Sequence, residues 1–131
     1  MTDMITNQRD FMFMGNQTTT SYNLDQQKLY ASLILEEYHE LGEAIASNKT
    51  DEIIKEACDV LVVTLGLLLS MGIDVHKAWE LVHRNNMSKV SNQDTIVKDV
   101  NGKIMKSKES KARKAKMMKG IKELLNVTNT R

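Results

Sequence analysis

Two pairs of acidic residues stand at helical spacing in stretches that are otherwise largely apolar. Glu37 and Glu40 are three residues apart, and Glu56 and Asp59 repeat that interval. Side chains three or four residues apart lie on the same face of an α-helix. On a helical wheel the first pair falls inside the apolar stripe centred on Leu33, and the second pair directly precedes the most hydrophobic stretch of the chain. Unpaired negative charge in such surroundings is costly, so this spacing indicates a cation site.

The four carboxylates are expected to converge from two neighbouring antiparallel helices. They would repel one another strongly unless a cation neutralised them, and no lysine is expected on either stripe. A ligand set made only of oxygen suits Mg²⁺, with Mn²⁺ as the alternative, better than zinc or copper. Glu36 lies at the edge of the first stripe. The competing interpretation, that the acids only solvate helix surfaces, is favoured for Glu36–Glu40 alone but is weakened by the matched second pair.

A di-iron site is a further alternative, since two segments match the Glu-x-x-His pattern of carboxylate-bridged iron proteins. They are Glu36–His39 and Glu80–His83. On the wheel, however, His39 falls about 120° from the centre of the acidic stripe, so it does not readily share a metal with Glu37 and Glu40. The first helix also supplies no glutamate for the fourth corner. The sequence therefore favours the all-oxygen site.

Helices must position these acids, and the composition favours helices. Proline is absent and aromatic residues make up 5% of the chain, which suits helices better than a sheet sandwich. The Asn101-Gly102 pair in an alternating stretch predicts a short hairpin or turn near residues 96–105. Short connections favour antiparallel neighbours, so the prediction is an all-α antiparallel helical bundle. The predicted helices run from about Met4 to Met14, Leu24 to Ser47, the N-cap Thr50 to Met71, Val75 (after the cap Asp74) to Asn85, and Glu109 to Leu125.

The length of 131 residues predicts a single domain over residues 1–131. Phe11 and Met14 are the expected packing residues of the first helix. The third helix is apolar almost all round, which predicts that an oligomer covers it. Its apolar run Val60–Met71 is too short to cross a bilayer, and no membrane partner is expected. A single cysteine, Cys58, and a start without a secretory pattern predict a cytoplasmic protein.

The charges are divided unevenly along the chain. Residues 1–97 hold 14 acidic and 7 basic side chains, a net charge of −7, whereas residues 98–131 hold 3 acidic and 11 basic ones, a net charge of +8. The lysine-rich segment is predicted to form a C-terminal helix at about 107–125, and a solvated helix face is its ordinary interpretation. The alternative function is a small helical module that binds nucleic acid or a partner protein through Lys111, Arg113, Lys114 and Lys116.

The acids and two later segments resemble, in the same order, the signature of the MazG-like all-α nucleotide pyrophosphohydrolases. That superfamily also holds the phosphoribosyl-ATP pyrophosphohydrolases and the dimeric dUTPases. The resemblance spans about residues 24–106 and is carried by Glu36-Glu37-x-x-Glu40, then after fifteen residues Glu56-x-x-Asp59, then His83-Arg-Asn-Asn-Met-Ser-Lys89 and Asp99-Val-Asn-Gly-Lys-Ile-Met-Lys106. After Lys106 the chain departs from the family, because it lacks the Gly/Pro-rich aromatic segment that members often have.

The resemblance implies attack of water on the α-phosphorus of a nucleoside or deoxynucleoside triphosphate, with release of the monophosphate and pyrophosphate. It implies a homodimer or homotetramer, and nucleic acid is not an expected partner. Phosphoribosyl-ATP is the less favoured substrate, because the phosphate-binding segments look more MazG-like; the base and sugar stay open. By analogy, Glu37, Glu40, Glu56 and Asp59 hold Mg²⁺, Glu36 activates the water, and Asn86, Lys89, Lys103 and Lys106 are the candidates for contacting phosphates or base.

Overall fold

A computed structural model describes residues 3–129, and the side chains of all of these except residues 108, 109 and 127–129. The chain divides between Ile73 and Asp74 into two compact units, which are described separately. Throughout the described residues every regular element is a helix, and the only extended pairing is an isolated antiparallel bridge between Lys98 and Ile104. The all-α prediction is confirmed, while the single domain over 1–131 stays a prediction.

The helices are α1 (Met4–Met14), α2 (Leu24–Ala46) and α3 (Thr50–Leu69) in the first unit, and α4 (Val75–Met87), a 3₁₀ helix (Gln93–Thr95) and α5 (Lys108–Asn129) in the second.

Helix α1 begins at a capped end and packs on α3 through one face. The Asp3 carboxylate accepts a hydrogen bond from the Thr6 backbone N–H at 2.8 Å, which satisfies one of the free donors of the first turn. Met12 is fully buried, whereas Phe11 is 66% exposed and Met14 is 79% exposed. The expectation that Phe11 and Met14 pack was therefore wrong for this chain on its own, because Met12 is the residue of this segment that is buried.

Helices α2 and α3 form an antiparallel hairpin. Residues 47–49 join them, and Asn48 takes a left-handed conformation with φ of 52°, which asparagine tolerates better than most residues. At the other end, the Asn23 N–H donates to the Ser70 carbonyl at 2.9 Å, and Gln26 Nε2 donates to Ser70 Oγ at 2.8 Å. Since the start of α2 is bonded to the end of α3, the two helices run side by side in opposite directions.

The two helices approach each other closely where a glycine faces an aromatic ring. A Cβ added at Gly66 would lie 2.1 Å from the Tyr30 ring, so only glycine fits there without a shift. Tyr30 is 3% exposed, and its hydroxyl donates to Gln17 Oε1 at 2.6 Å. Burial raises the pKa of Tyr30. This contact sets the register of the hairpin, and the same register carries the acidic side chains further along both helices.

The ends of α2 and α3 differ slightly from the predicted ones. Helix α2 ends at Ala46, with Ser47 as its C-cap residue, and α3 ends at Leu69 rather than Met71. Thr50 was expected to cap α3, but it is the first helical residue, and Lys49 takes the cap position without a side-chain hydrogen bond. The charges of Asp51 and Glu52 in the first turn stabilise this helix start instead.

In the second unit, α4 and α5 also run antiparallel. The Asp74 carboxylate accepts from the Lys77 N–H at 3.2 Å, which confirms Asp74 as the cap of α4. Ser107 Oγ donates to the Ser88 carbonyl at 3.3 Å, so the start of α5 lies at the end of α4. A Cβ on Gly120 would lie 2.9 Å from the Leu81 side chain, which brings the two helices close.

The connection between α4 and α5 contains the predicted turn. Asp99 Oδ1 accepts from the N–H groups of Asn101 (2.8 Å) and Lys103 (3.0 Å), and Gly102 has a φ of 84° that favours glycine. The bridge between Lys98 and Ile104 closes it. None of the helices within residues 3–129 combines the length and apolarity that crossing a membrane would require.

Candidate metal centre

Three carboxylates from the α2–α3 hairpin converge on one point. One carboxylate oxygen from each of Glu37, Glu56 and Asp59 lies within 4.8 Å of the others. Glu37 comes from α2, and the other two residues come from the facing side of α3, three residues apart along that helix. Each of the three is half-buried. The hairpin register therefore brings together acids that are about twenty residues apart in sequence.

Two oxygens of this cluster are buried without a partner. Glu37 Oε2 and Glu56 Oε2 are closed off from solvent and accept no hydrogen bond. Burial, the largest cause, acts together with the charges of Glu40 and Asp59 to raise the pKa of Glu37 to about 7. A carboxylate whose buried oxygen lacks a donor is destabilised, and its proton or a cation relieves that cost.

A lysine takes part in the cluster, contrary to the expectation that no lysine would lie on either stripe. Lys55 Nζ lies 2.8 Å from Asp59 Oδ2 and 3.2 Å from Glu56 Oε1. The hydrogen bond to Asp59, followed by the one to Glu56, raises the pKa of Lys55. The sequence did carry a signal, because Lys55 and Asp59 are four residues apart on one helix, the spacing at which opposite charges meet.

Glu40, the fourth predicted ligand, lies beside the three converging acids. It is exposed, it raises the pKa of Glu37, and it is not part of the group whose oxygens lie within 4.8 Å. Glu40 instead lines an open cleft where α2 ends and α3 begins. The other two acids of this cleft, Glu43 and Glu52, were not predicted as site residues, although each stands three or four residues from Glu40 or Glu56. The cleft is lined by Glu40, Glu43, Ala44, Ala46, Ser47, Glu52 and Glu56.

The residues of the di-iron alternative are not drawn into the cluster. His39 is exposed, and its Nε2 lies 3.1 Å from Glu43 Oε1, one helical turn along α2. His83 is exposed on α4 in the second unit. Among the described residues, the group placed to hold a metal ion contains oxygen ligands only.

Glu36, the predicted water-activating residue, is exposed on α2 next to Glu37 and lies outside the converging group. Its role, like those of the four proposed ligands, stays a prediction. The one-residue step turns its side chain away from the centre of the stripe.

The four predicted substrate contacts all belong to the second unit. Asn86 is exposed near the end of α4, and its Oδ1 accepts from Lys89 Nζ at 3.3 Å. Lys103 and Lys106 are exposed in and after the turn, and the backbone N–H of Lys103 donates to Asp99 Oδ1. Their contacts with a nucleotide stay predictions.

Comparison with known proteins assigns the family. The sequence model of phosphoribosyl-ATP pyrophosphohydrolase matches residues 14–86, which is more than half of the chain. The chain belongs to this family. The family, part of the MazG-like superfamily, consists of nucleotide pyrophosphohydrolases, so the chain is a hydrolase of that kind. No curated protein sequence matched the chain.

The matched segment contains α2, α3 and nearly all of α4. It therefore includes the three converging carboxylates together with Glu36 and Glu40. It ends at Asn86, before the turn that carries Lys103 and before α5. The family relationship thus accounts for the acidic hairpin and leaves the basic C-terminal helix unexplained.

A divalent cation fits the acidic centre on chemical grounds. The donor set is three carboxylates, the ligands that Mg²⁺ and Mn²⁺ prefer. Two of its oxygens are buried without a hydrogen-bond donor, so the protein itself does not satisfy them. Lys55 offsets part of the negative charge, but its side chain is 66% exposed and contacts only two of the three acids. The centre is therefore one that a small dication would stabilise.

Proposed function

We propose that the chain converts a nucleoside or deoxynucleoside triphosphate into the monophosphate and pyrophosphate in a reaction that depends on Mg²⁺. One observation carries the proposal: Glu37, Glu56 and Asp59 converge within 4.8 Å and two of their oxygens are buried and unpaired. In a nucleotide pyrophosphohydrolase, such a centre is where phosphate charge has to be neutralised.

Glu37, Glu56 and Asp59 would hold the cation, with Glu40 beside them. When bound, a divalent cation neutralises phosphate oxygens and lowers the pKa of a coordinated water. Glu36 is exposed on the same helix as Glu37, and as a solvent-accessible carboxylate it would accept the proton of the attacking water. We assign Asn86, Lys89, Lys103 and Lys106 to contacts with the phosphates or base; three of these are cations suited to a polyanion.

A substrate panel tests the proposal. Each common NTP and dNTP, and phosphoribosyl-ATP, would be incubated with Mg²⁺, with Mn²⁺ or with EDTA, and monophosphate and pyrophosphate would be measured separately. We expect equal amounts of the two products from triphosphates, and loss of turnover in EDTA. Release of inorganic phosphate instead of pyrophosphate would contradict attack at the α-phosphorus. Turnover of phosphoribosyl-ATP alone would show that the substrate assignment is wrong.

Lys55 provides a test of the centre that does not need a substrate. Because its ammonium group bonds Asp59 and Glu56, it competes with any cation that those carboxylates bind. We expect Lys55→Met to lower the Kd for Mn²⁺ about two- to fivefold in calorimetric titration, the range typical of an exposed ion pair. Lys49→Met is the matched control, since Lys49 pairs with Glu52 at 3.8 Å outside the converging group. Unchanged or weaker Mn²⁺ binding in Lys55→Met would argue against a cation at these carboxylates.

We also propose that a second copy of the chain covers the outer face of α2. This face carries apolar or small residues at alternating intervals of four and three, the spacing of a helix-packing seam. All are exposed, including Leu35 and Tyr38 at 71% and Ile45 at 57%, and monomeric proteins rarely leave so continuous a stripe in water. The stripe consists of Ala31, Leu35, Tyr38, Gly42 and Ile45.

Sedimentation equilibrium would test this assembly. We expect a dimer or tetramer for the unaltered chain and a shift to monomer in Leu35→Lys, because a charge at the centre of a packed seam is costly. Val100→Lys adds the same charge at a fully exposed turn residue and should leave the mass unchanged. A monomer at micromolar concentration for the unaltered chain would contradict the proposal.

A further inference from the structure

The second unit contains a pocket that neither the acidic centre nor the proposed substrate contacts use. It lies between the antiparallel helices α4 and α5 and has a volume of about 40 Å³. The close approach at Gly120 and Leu81 and the Ser107–Ser88 hydrogen bond hold the two helices on either side of it. The pocket is lined by Leu81, Arg84 and Asn85 from α4, and by Arg113, Lys116 and Met117 from α5.

Three cations surround this pocket. The Arg84 guanidinium is held by Glu80, one turn earlier on α4, which orients it. Where side chains are described, Arg113 and Lys116 have no carboxylate within ion-pair distance. Like charges around one concave site repel one another, and the repulsion is relieved when an anion occupies the site. The pocket therefore has an excess of positive charge that the described residues do not balance.

The pocket wall also contains an unpaired amide oxygen. Asn85 Oδ1 is buried and has no hydrogen-bond partner. A buried acceptor without a donor costs roughly 1–3 kcal/mol, so folded proteins rarely keep one without a reason. As an acceptor, this oxygen can bond a hydroxyl or N–H group of a ligand that also carries a phosphate. This observation is independent of the charge, and Asn85 lines the same pocket.

We propose that this pocket binds a phosphate group, either as a small inorganic phosphate or pyrophosphate ion or as part of a nucleotide. The forked donors of Arg84 and Arg113 match the geometry of phosphate oxygens, and Lys116 adds a third charge. Leu81 and Met117 supply an apolar side to the pocket. The α5 residues of the pocket lie beyond the segment that the family model matches, so the family match does not account for them.

The shape of the site favours a small anion over a nucleic-acid backbone. The cations of the pocket line a space between two helices, whereas a polyanion would follow the row of α5 that contains Lys111, Lys114 and Lys122. A single phosphate group is small and opposite in charge to the three cations that line this space. The inference does not require that the proposed triphosphate hydrolysis is correct, because the pocket residues belong neither to the acidic centre nor to the proposed substrate contacts.

The experiment is a titration followed by backbone amide NMR in EDTA at constant ionic strength. Inorganic phosphate, pyrophosphate and a nucleoside monophosphate would be added to the unaltered chain, and chloride would serve as the ionic control. We expect saturable shifts at residues 81–85 and 113–117 together. The variant Arg113→Gln/Lys116→Gln should raise the Kd about tenfold or more, since two charge-assisted hydrogen bonds are lost. The control Lys111→Gln/Lys122→Gln removes the same charge from α5 outside the pocket and should change the Kd less than about twofold.

A third variant separates the pocket from general charge. Asn85→Asp places a carboxylate at the pocket wall and should weaken phosphate binding at least as strongly as the double variant, while circular dichroism confirms the helix content. Equal weakening in the pocket and control doubles would show that the tail acts only as a diffuse positive charge and would overturn the proposal. Shifts confined to residues 86–106 would place the anion at the proposed substrate contacts instead. Absence of saturable shifts would also overturn the proposal of a phosphate-binding pocket. Binding of an oligonucleotide through Lys111 and Lys122 would overturn it as well.

Discussion

Asp59→Asn is expected to lower kcat of the pyrophosphohydrolase about 100-fold or more while the protein stays folded. The substitution keeps the size of the side chain but removes one of the three converging negative charges. A neutral amide is a much weaker ligand for a hard dication than a carboxylate, and the charge that opposes the phosphates is lost with it. Glu56→Gln removes a second ligand of the same cluster and should have a similar effect. Turnover rates measured at saturating concentrations of Mg²⁺ and triphosphate check the predictions for both variants.

The control for this prediction is Asp10→Asn. Asp10 is exposed on α1 in the same unit, and the chemical change is identical. Its turnover should equal that of the unaltered chain, and thermal unfolding of both variants should show intact cooperative transitions. Normal turnover in Asp59→Asn would remove the acidic centre from the mechanism. The family assignment would survive that outcome, since it rests on the sequence match over residues 14–86.

The acidic hairpin could be predicted from the sequence because each of its two helices repeats one physical pattern. Intervals of three and four residues determine the helix face, and a three-residue connection between long helices determines that they run antiparallel. Together these rules bring Glu37 opposite Glu56 and Asp59. They do not determine how far along the hairpin the side chains reach, so Glu40 was expected among the converging oxygens but lies beside them, lining the cleft.

Lys55 was not predicted because a wheel gives the direction of a Cα–Cβ bond and not the reach of a side chain. Lys55 lies one helical turn before Asp59, and its long flexible stem brings the ammonium group to the carboxylate, 2.8 Å away. Similarly, α1 contains four consecutive apolar residues, Phe11 to Met14, which together point in every direction around the helix. Only the neighbouring helix selects Met12 as the one that is buried.

The pocket between α4 and α5 had no signature in the sequence. Arg84 and Asn85 belong to a segment that was identified by its resemblance to a family motif. Arg113 and Lys116 belong to the basic run, which was interpreted as a solvated face or, alternatively, as a surface that binds nucleic acid or a partner protein. Their meeting depends on the antiparallel pairing of two helices separated by an irregular connection of about twenty residues. Spacing rules apply within one element, so contacts across such a connection are visible only in the structure.

The pH dependence of stability is the second large effect expected at the acidic centre. In the absence of metal, burial and the charges of Glu40 and Asp59 raise the pKa of Glu37 from 4.5 to about 7. Between these two values the folded state holds a proton that the unfolded state has released. The free energy of unfolding therefore falls as the pH rises from about 4.5 to about 7, and then levels off as far as Glu37 is concerned.

Glu37→Gln removes this titration. In EDTA we expect the variant to unfold at higher urea concentration than the unaltered chain at pH 8, by about 1–2 kcal/mol, with little difference at pH 4.5. Glu36→Gln is the matched control, because it removes the same charge one position along α2 at an exposed site. Addition of Mg²⁺ at pH 8 should stabilise the unaltered chain more than Glu37→Gln, since ligand binding to the folded state raises its stability. If the free energy of unfolding of Glu37→Gln depends on pH as strongly as that of the unaltered chain, Glu37 is not the group that titrates. The charge balance inferred for the acidic centre would then be wrong.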